Sequence, residues 1–194
     1  MKNEKLNALI GIILILIFFI LASYLVQNNL EYIENLIGQS YLSIFIFVLI
    51  LTIATVLAPI NAVPLIPVAS NVWGWFLTGI LSIIGWTLGA LIAFSLARKY
   101  GVPLVKKFFS LKDITKYEKL IPEENIFWSI VFLRMAIPVD ILSYVLGLFS
   151  HIKFRTYALA TLMGITPLAF IIAYVGTLEI LYQVITFVAA VLMI

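Results

Sequence analysis

From Leu6 to Val26 the chain carries no charged residue, a run of 21 positions. A helix of that length rises ~30 Å at ~1.5 Å per residue, about the thickness of a bilayer's hydrocarbon core. Lys2 and Lys5 precede it. The run is too long for the apolar region of a secretory signal, and no clear small-residue cleavage pattern follows. It therefore predicts an uncleaved anchor with a cytoplasmic N-terminus. Gln27–Ser40 is polar, holds Glu31 and Glu34 without a basic residue, and is expected outside. From Asn35 to Ala97 there is then no charge for 63 residues. Pro59, Pro64 and Pro67 interrupt that stretch, in "APINAVPLIPVASN", which also holds Asn61 and Asn71.

Charge returns as a block, Arg98–Lys119, with seven basic residues against Asp113 and Glu118. Such a loop belongs in the cytoplasm, which requires an odd number of crossings after Ser40. The simplest solution has Tyr41–Trp73 enter the membrane, turn at the prolines and leave on the same side, with Gly74–Ala97 as the one true crossing. The pattern then recurs. Ile126–Ile137 is 12 residues long and ends at Pro138, Asp140–Ser150 is shorter, and the following "HIKFR" is again basic. A second re-entrant hairpin is expected there, with Pro138 at its break, and Thr156–Val175 crossing outward. Ile180–Ile194 is expected to return, although 15 residues are few for a span. Pro103–Pro122 is expected to lie on the inner leaflet as an amphipathic helix, with Leu104, Phe108, Leu111, Ile114 and Leu120 on its apolar face.

The predicted fold class is all-α: a polytopic integral membrane protein with two facing re-entrant hairpins in an inverted repeat. The expected divisions are an anchor and external linker (1–40), a membrane domain (41–178) with a cytoplasmic linker at 102–125, and a C-terminal apolar helix (179–194). Pro64, Gly74, Gly89 and Gly101 are spaced much as Pro138, Gly147, Gly164 and Gly176 are. Paired Gly/Pro-interrupted segments in two inverted halves point to a transport site near the bilayer midplane. On the first crossing, Gly74, Thr78, Ser82, Gly85, Gly89, Ala93 and Ala97 form a stripe of small residues that suits close helix packing.

Composition agrees. Hydrophobic residues make up 64% of the 194 positions and charged residues 11%, against ~45–50% and ~25% in soluble domains. No water-facing shell can be built from so few polar groups. There is no cysteine and one histidine, His151, so no cysteine-ligated or histidine-cluster metal site is expected. Nucleotide-binding loops and catalytic sets are missing too, so neither an enzyme nor a cofactor is expected. The lysines flank membrane segments, which favours topology over nucleic-acid binding as their role.

The anomaly is "FLRMAIPVDILSYVLG". Arg134 and Asp140 are charged residues inside segments that should be membrane-embedded, where even the lenient insertion scale charges ~2.5–3.5 kcal/mol. A break at Pro138 can bring the two together. Their role is then either a purely structural ion pair or a site at which Arg134, with its planar fork of donors, holds an anionic head group. Asp140 would be its partner, and Asn61 and Asn71 would line the opposing hairpin.

Arg134, Pro138, Asp140, Tyr144, Gly147, Gly164, Pro167 and Gly176 together resemble the second half of the DedA superfamily, in its SNARE-associated Golgi protein or VTT-domain branch. The proline-rich stretch, Gly74, Gly85, Gly89, Arg98 and Gly101 resemble its first half, so the likeness covers roughly 41–178. It implies two facing re-entrant hairpins with adjacent crossings, and movement of lipids between leaflets, with polyprenyl phosphates and anionic phospholipids among the partners. The chain departs from the bacterial branch twice. Tyr41–Ala97 holds no acidic residue, and Asp140 stands where that branch has a second arginine. Both departures count against proton-coupled polyprenyl-phosphate transport. The expected function is a flippase- or scramblase-like transporter in the cell membrane, with self-association left open. A non-transporting assembly protein and a small-ion or solute transporter remain the alternatives.

Overall fold

The computed structural model describes residues 2–38, 40–57, 62–106, 125–136, 139–149 and 152–192. Among these, all regular structure is helical. The helices are α1 (Lys2–Asn28), α2 (Leu30–Ile37), α3 (Tyr41–Leu57), α4 (Leu65–Trp73), α5 (Trp75–Val105), α6 (Ile126–Ala136), α7 (Val139–Phe149), α8 (Phe154–Val175) and α9 (Ile180–Leu192). Pro59, Asn61, Pro138, His151 and most of the expected amphipathic linker lie outside the described residues.

By length and composition α5 and α8 can cross a membrane; α1 has 27 residues, and α3, α6, α7 and α9 are shorter. Their outer faces are apolar: Phe18, Phe45 and Phe132 are each more than half exposed. Apolar surface on that scale needs lipid, not water, around it. The breaks have local causes. Gly74 alone separates α4 from α5 and takes φ 80°. Gly101, at φ 64° and ψ −157°, kinks α5 four residues past the expected end of the crossing, with Pro103 just beyond. Both are conformations that a side chain disfavours. The stretch expected as a polar external linker contains α2, whose following residue Gly38 accepts a hydrogen bond from Trp73 Nε1 at 3.1 Å.

The described chain forms two compact units. One comprises residues 1–44, 61–80 and 170–194. In it α1 packs against α4 and α9, and α2 against α4. Phe19 of α1 meets Phe187 of α9 edge-on at 5.1 Å. The turn after α8 is clasped from three helices. Ser23 Oγ donates to Gly176 O at 3.3 Å. Gln27 Nε2 and Gln183 Nε2 donate to Leu178 O at 2.9 and 2.8 Å. Asn71 Nδ2 donates to Pro67 O at 2.7 Å and Gly176 O at 2.9 Å.

The other unit comprises 45–60 and 81–169. Its centre is α7, in which every residue from Ile141 to Gly147 is buried. A helix buried all round belongs in an interior. Gly147 lets α7 approach α5: a Cβ there would fall 2.5 Å from Phe94 O and 2.7 Å from Ala97 Cβ. Tyr144, fully buried, donates its hydroxyl to Val56 O at 2.6 Å. That carbonyl lies in the last described turn of α3.

Candidate functional site

Arg134 is among the largest fully buried side chains, with 1% of its surface exposed. It lies in the last turn of α6, where a cation is favoured by the carbonyl end of the helix. Its guanidinium is held by four oxygens, all formally neutral. Nη1 donates to Val139 O at the start of α7. Nη2, which has two hydrogens, faces Ser143 Oγ at 3.1 Å, Tyr157 Oη at 2.6 Å and Thr161 Oγ1 at 3.1 Å. Nε is buried without a partner. Among the described residues no carboxylate forms an ion pair with it. A buried charge normally needs an opposite charge, because desolvation costs several kcal/mol per ion. Here dipoles hold it, with the Asp140 carboxylate near enough for the two charges to interact.

Asp140 sits one helix away, in the first turn of α7. Its carboxylate lies beside the backbone amides of Asp140 and Ile141, where a helix N-terminus favours negative charge. The structure thus places Arg134 in the last turn of α6 and Asp140 in the first turn of α7, each with a helix end that favours its charge and with the two charges also acting on one another. Asn71 belongs to the first unit, and its amide hydrogens go to Pro67 O and Gly176 O.

Tyr157, Ser143 and Thr161 were not singled out as site residues from sequence. The available signal was that Tyr157, Thr161 and Gly164 fall at i, i+4 and i+7, one helical stripe of polar and small residues. Tyr157 is central. Its hydroxyl accepts from Arg134 and donates to Ala90 O at 3.1 Å, tying α6, α8 and α5 together. Its ring stacks on Phe94 at 3.9 Å, and the Arg98 guanidinium lies 4.3 Å above the Phe94 ring. Arg98 Nη1 also donates to Ile152 O at 3.0 Å.

The same glycine contact recurs within this unit, at Gly85, Gly89, Gly147 and Gly164. On α5, a Cβ at Gly89 would lie 2.8 Å from Thr52 O and 2.5 Å from Thr55 Cβ of α3. On α8, a Cβ at Gly164 would lie 2.8 Å from Val131 O and 2.7 Å from Arg134 Cβ of α6. Each of these glycines covers positions i and i+3 of the helix it meets, and Thr55 lies under Gly89 as Arg134 lies under Gly164. Thr55 is neutral and its hydroxyl donates to Leu51 O at 2.8 Å.

With this geometry established, comparison with known proteins adds three findings. The family model described as VTT domain matches residues 59–178, which contain α4 to α8 and the whole arginine site. An uncharacterized protein of Methanocaldococcus jannaschii is 29% identical over 90 residues, covering 46% of this chain and 56% of that protein, a little over half its length. No solved structure matches the chain.

Proposed function

The chain belongs to the VTT domain family, the group of the DedA and SNARE-associated Golgi proteins, and from that membership we propose that it moves an anionic lipid or similar amphiphile between membrane leaflets, with Arg134 as the head-group contact. The observation that carries this reading is the buried guanidinium, which among the described residues has no carboxylate in direct contact and keeps one idle donor, Nε. An incoming phosphate would supply the missing negative charge. Arginine suits that task because its charge persists when buried and its donors lie in one plane.

Two features support a re-entrant arrangement. The helices α6 and α7 have 11 residues each, so each is ~16 Å long at ~1.5 Å per residue and neither crosses a ~30 Å core. The Tyr144–Val56 bond joins α7 to the end of α3, one arm from each expected hairpin. In that arrangement Asp140 stands by at the start of α7, held by the amides of its own helix and within reach of the Arg134 charge. The basic segments flanking the hairpins place the N-terminus in the cytoplasm, in a multi-pass cell-membrane protein.

The test is leaflet exchange in liposomes by the purified full chain. Labelled phosphatidic acid, phosphatidylglycerol and a neutral glycolipid are compared for wild type and Arg134→Met. Anionic lipids are expected to exchange faster than the neutral one, and the variant to lose that difference. Equal exchange of all three by wild type, or full exchange by the variant, would refute the head-group role and leave an assembly function.

A further inference from the structure

We propose a second lipid site, separate from the arginine site and not used for transport: a single-leaflet groove on α5 that holds one anionic phospholipid. The groove encloses about 350 Å³ and is lined by one face of α5, with Phe154 at the start of α8 across from it. Every lining residue belongs to the second unit. Leu88, Ile92 and Leu96 recur every four residues and form its apolar floor. Leu88 is 45% exposed and Ile92 43%, so the floor is open to the surroundings rather than filled by the protein.

One end differs. Lys99 and Tyr100 close it, with the ammonium 5.3 Å from the Tyr100 ring. The exposed Lys153 and Arg155 flank Phe154 in the chain. A long apolar trough ending in ammonium and phenol groups is chemically amphipathic in the manner of a lipid. Its length decides the orientation. From Leu88 to Tyr100 the helix rises ~18 Å at ~1.5 Å per residue, close to the ~15 Å depth of one leaflet's hydrocarbon. An acyl chain laid on Leu88, Ile92 and Leu96 thus places its phosphate at the depth of Lys99, where a tyrosine also sits well. A free phosphate would use the lysine and leave the floor bare. A soluble apolar molecule would use the floor and ignore the lysine. A phospholipid with net negative charge uses both.

The site also differs from the arginine site in kind. Arg134 is sealed inside the unit, whereas this groove is open along its length. A lipid held here ties the basic end of α5 to one leaflet.

The test is native mass spectrometry of the full chain released from micelles, titrated with phosphatidylglycerol, phosphatidylcholine or inorganic phosphate. Wild type is expected to retain one phosphatidylglycerol more firmly than phosphatidylcholine and to retain no phosphate. Lys99→Gln should weaken that retention about fivefold, from ~1 kcal/mol per lysine at a charged interface. Ile92→Trp, which fills the floor while leaving the charge, should displace the lipid. Arg134→Met should retain it as wild type does, so failure here and failure of the head-group reading are read separately. Unchanged retention in both groove variants overturns the proposal. Equal retention of the two lipids, or retention of phosphate alone, overturns it as well.

Discussion

Gly164 and Arg134 touch through a gap that only glycine leaves open: a Cβ on Gly164 would lie 2.7 Å from Arg134 Cβ and 2.8 Å from Val131 O. Neither obstacle is a flexible tip. Gly164→Ala must push α8 away from α6, and with it Tyr157 and Thr161, which hold the guanidinium. Overpacking of this kind costs ~1–3 kcal/mol. The expected outcome is a lower thermal midpoint in detergent and slower anionic-lipid exchange. Gly11→Ala serves as the control, since nothing lies within 4 Å of the added carbon. Its midpoint should hold or rise slightly, because alanine favours a helix by ~1 kcal/mol.

Asn71 gives a second prediction. Its amide closes the turn after α8 through bonds to Pro67 O and Gly176 O. Losing both should cost ~1–3 kcal/mol, at ~0.5–1.5 kcal/mol per bond. Asn71→Ala is therefore expected to lower the thermal midpoint and to reduce exchange only as far as folded protein is lost. Exchange abolished at an unchanged midpoint would instead place Asn71 on the substrate path, as first expected from the sequence.

How far the sequence reached depends on which kind of force fixes each feature. Helix extents are local matters of apolar run length and of breakers. The crossing expected at Thr156–Val175 is helix Phe154–Val175, and Gly74 and Pro64 flank α4 and its neighbours as their chemistry requires. Arg134 was legible because a charge in an apolar run is costly wherever the chain goes. Its partners were not, because Ser143, Tyr157 and Thr161 are ordinary residues until tertiary packing brings three helices to one guanidinium. The expectation that Asp140 would be the partner of Arg134 drew on charge alone, and that charge does act on Asp140. It left out the helix ends, where α6 offers carbonyls to the cation and α7 offers amides to the anion. The helix α2 was missed for a related reason: eight residues with Glu31 and Glu34 read as solvent-facing chain, and only contact with α4 makes them a packed element.

Topology is testable because the chain has no cysteine. Single cysteines at Glu34, Lys112 and Lys153 report on the three polar regions. An impermeant maleimide added to intact cells is expected to label Glu34→Cys and to spare the other two. After permeabilisation all three should label. Labelling of Lys112→Cys in intact cells would remove the re-entrant reading of the first hairpin, because the chain would then cross twice before the basic block.

The sharpest prediction separates a structural from a transport role for Arg134 and Asp140. If they formed a buried ion pair, removing one would strand the other at a cost of ~3–5 kcal/mol. The geometry points elsewhere. Arg134→Met breaks no ion pair, and Asp140 keeps the amides of its own helix, which act on it more strongly than the Arg134 charge does. Two hydroxyls that Arg134 used keep other acceptors: Tyr157 donates to Ala90 O and Ser143 to Val139 O. An apolar side chain of similar length should thus fit the site at no loss of stability, because it also relieves the cost of a buried cation. The expected cycle is a midpoint for Arg134→Met equal to or above wild type, with Asp140→Leu adding to it independently. Anionic-lipid exchange should vanish in every variant lacking Arg134, and Arg134→Lys should restore part of it, since lysine returns the charge without the planar fork. A coupling energy of several kcal/mol between the two positions would restore the ion pair. Full exchange by the double variant would end the transport role, because a residue kept at the expense of stability must contribute something that its removal takes away.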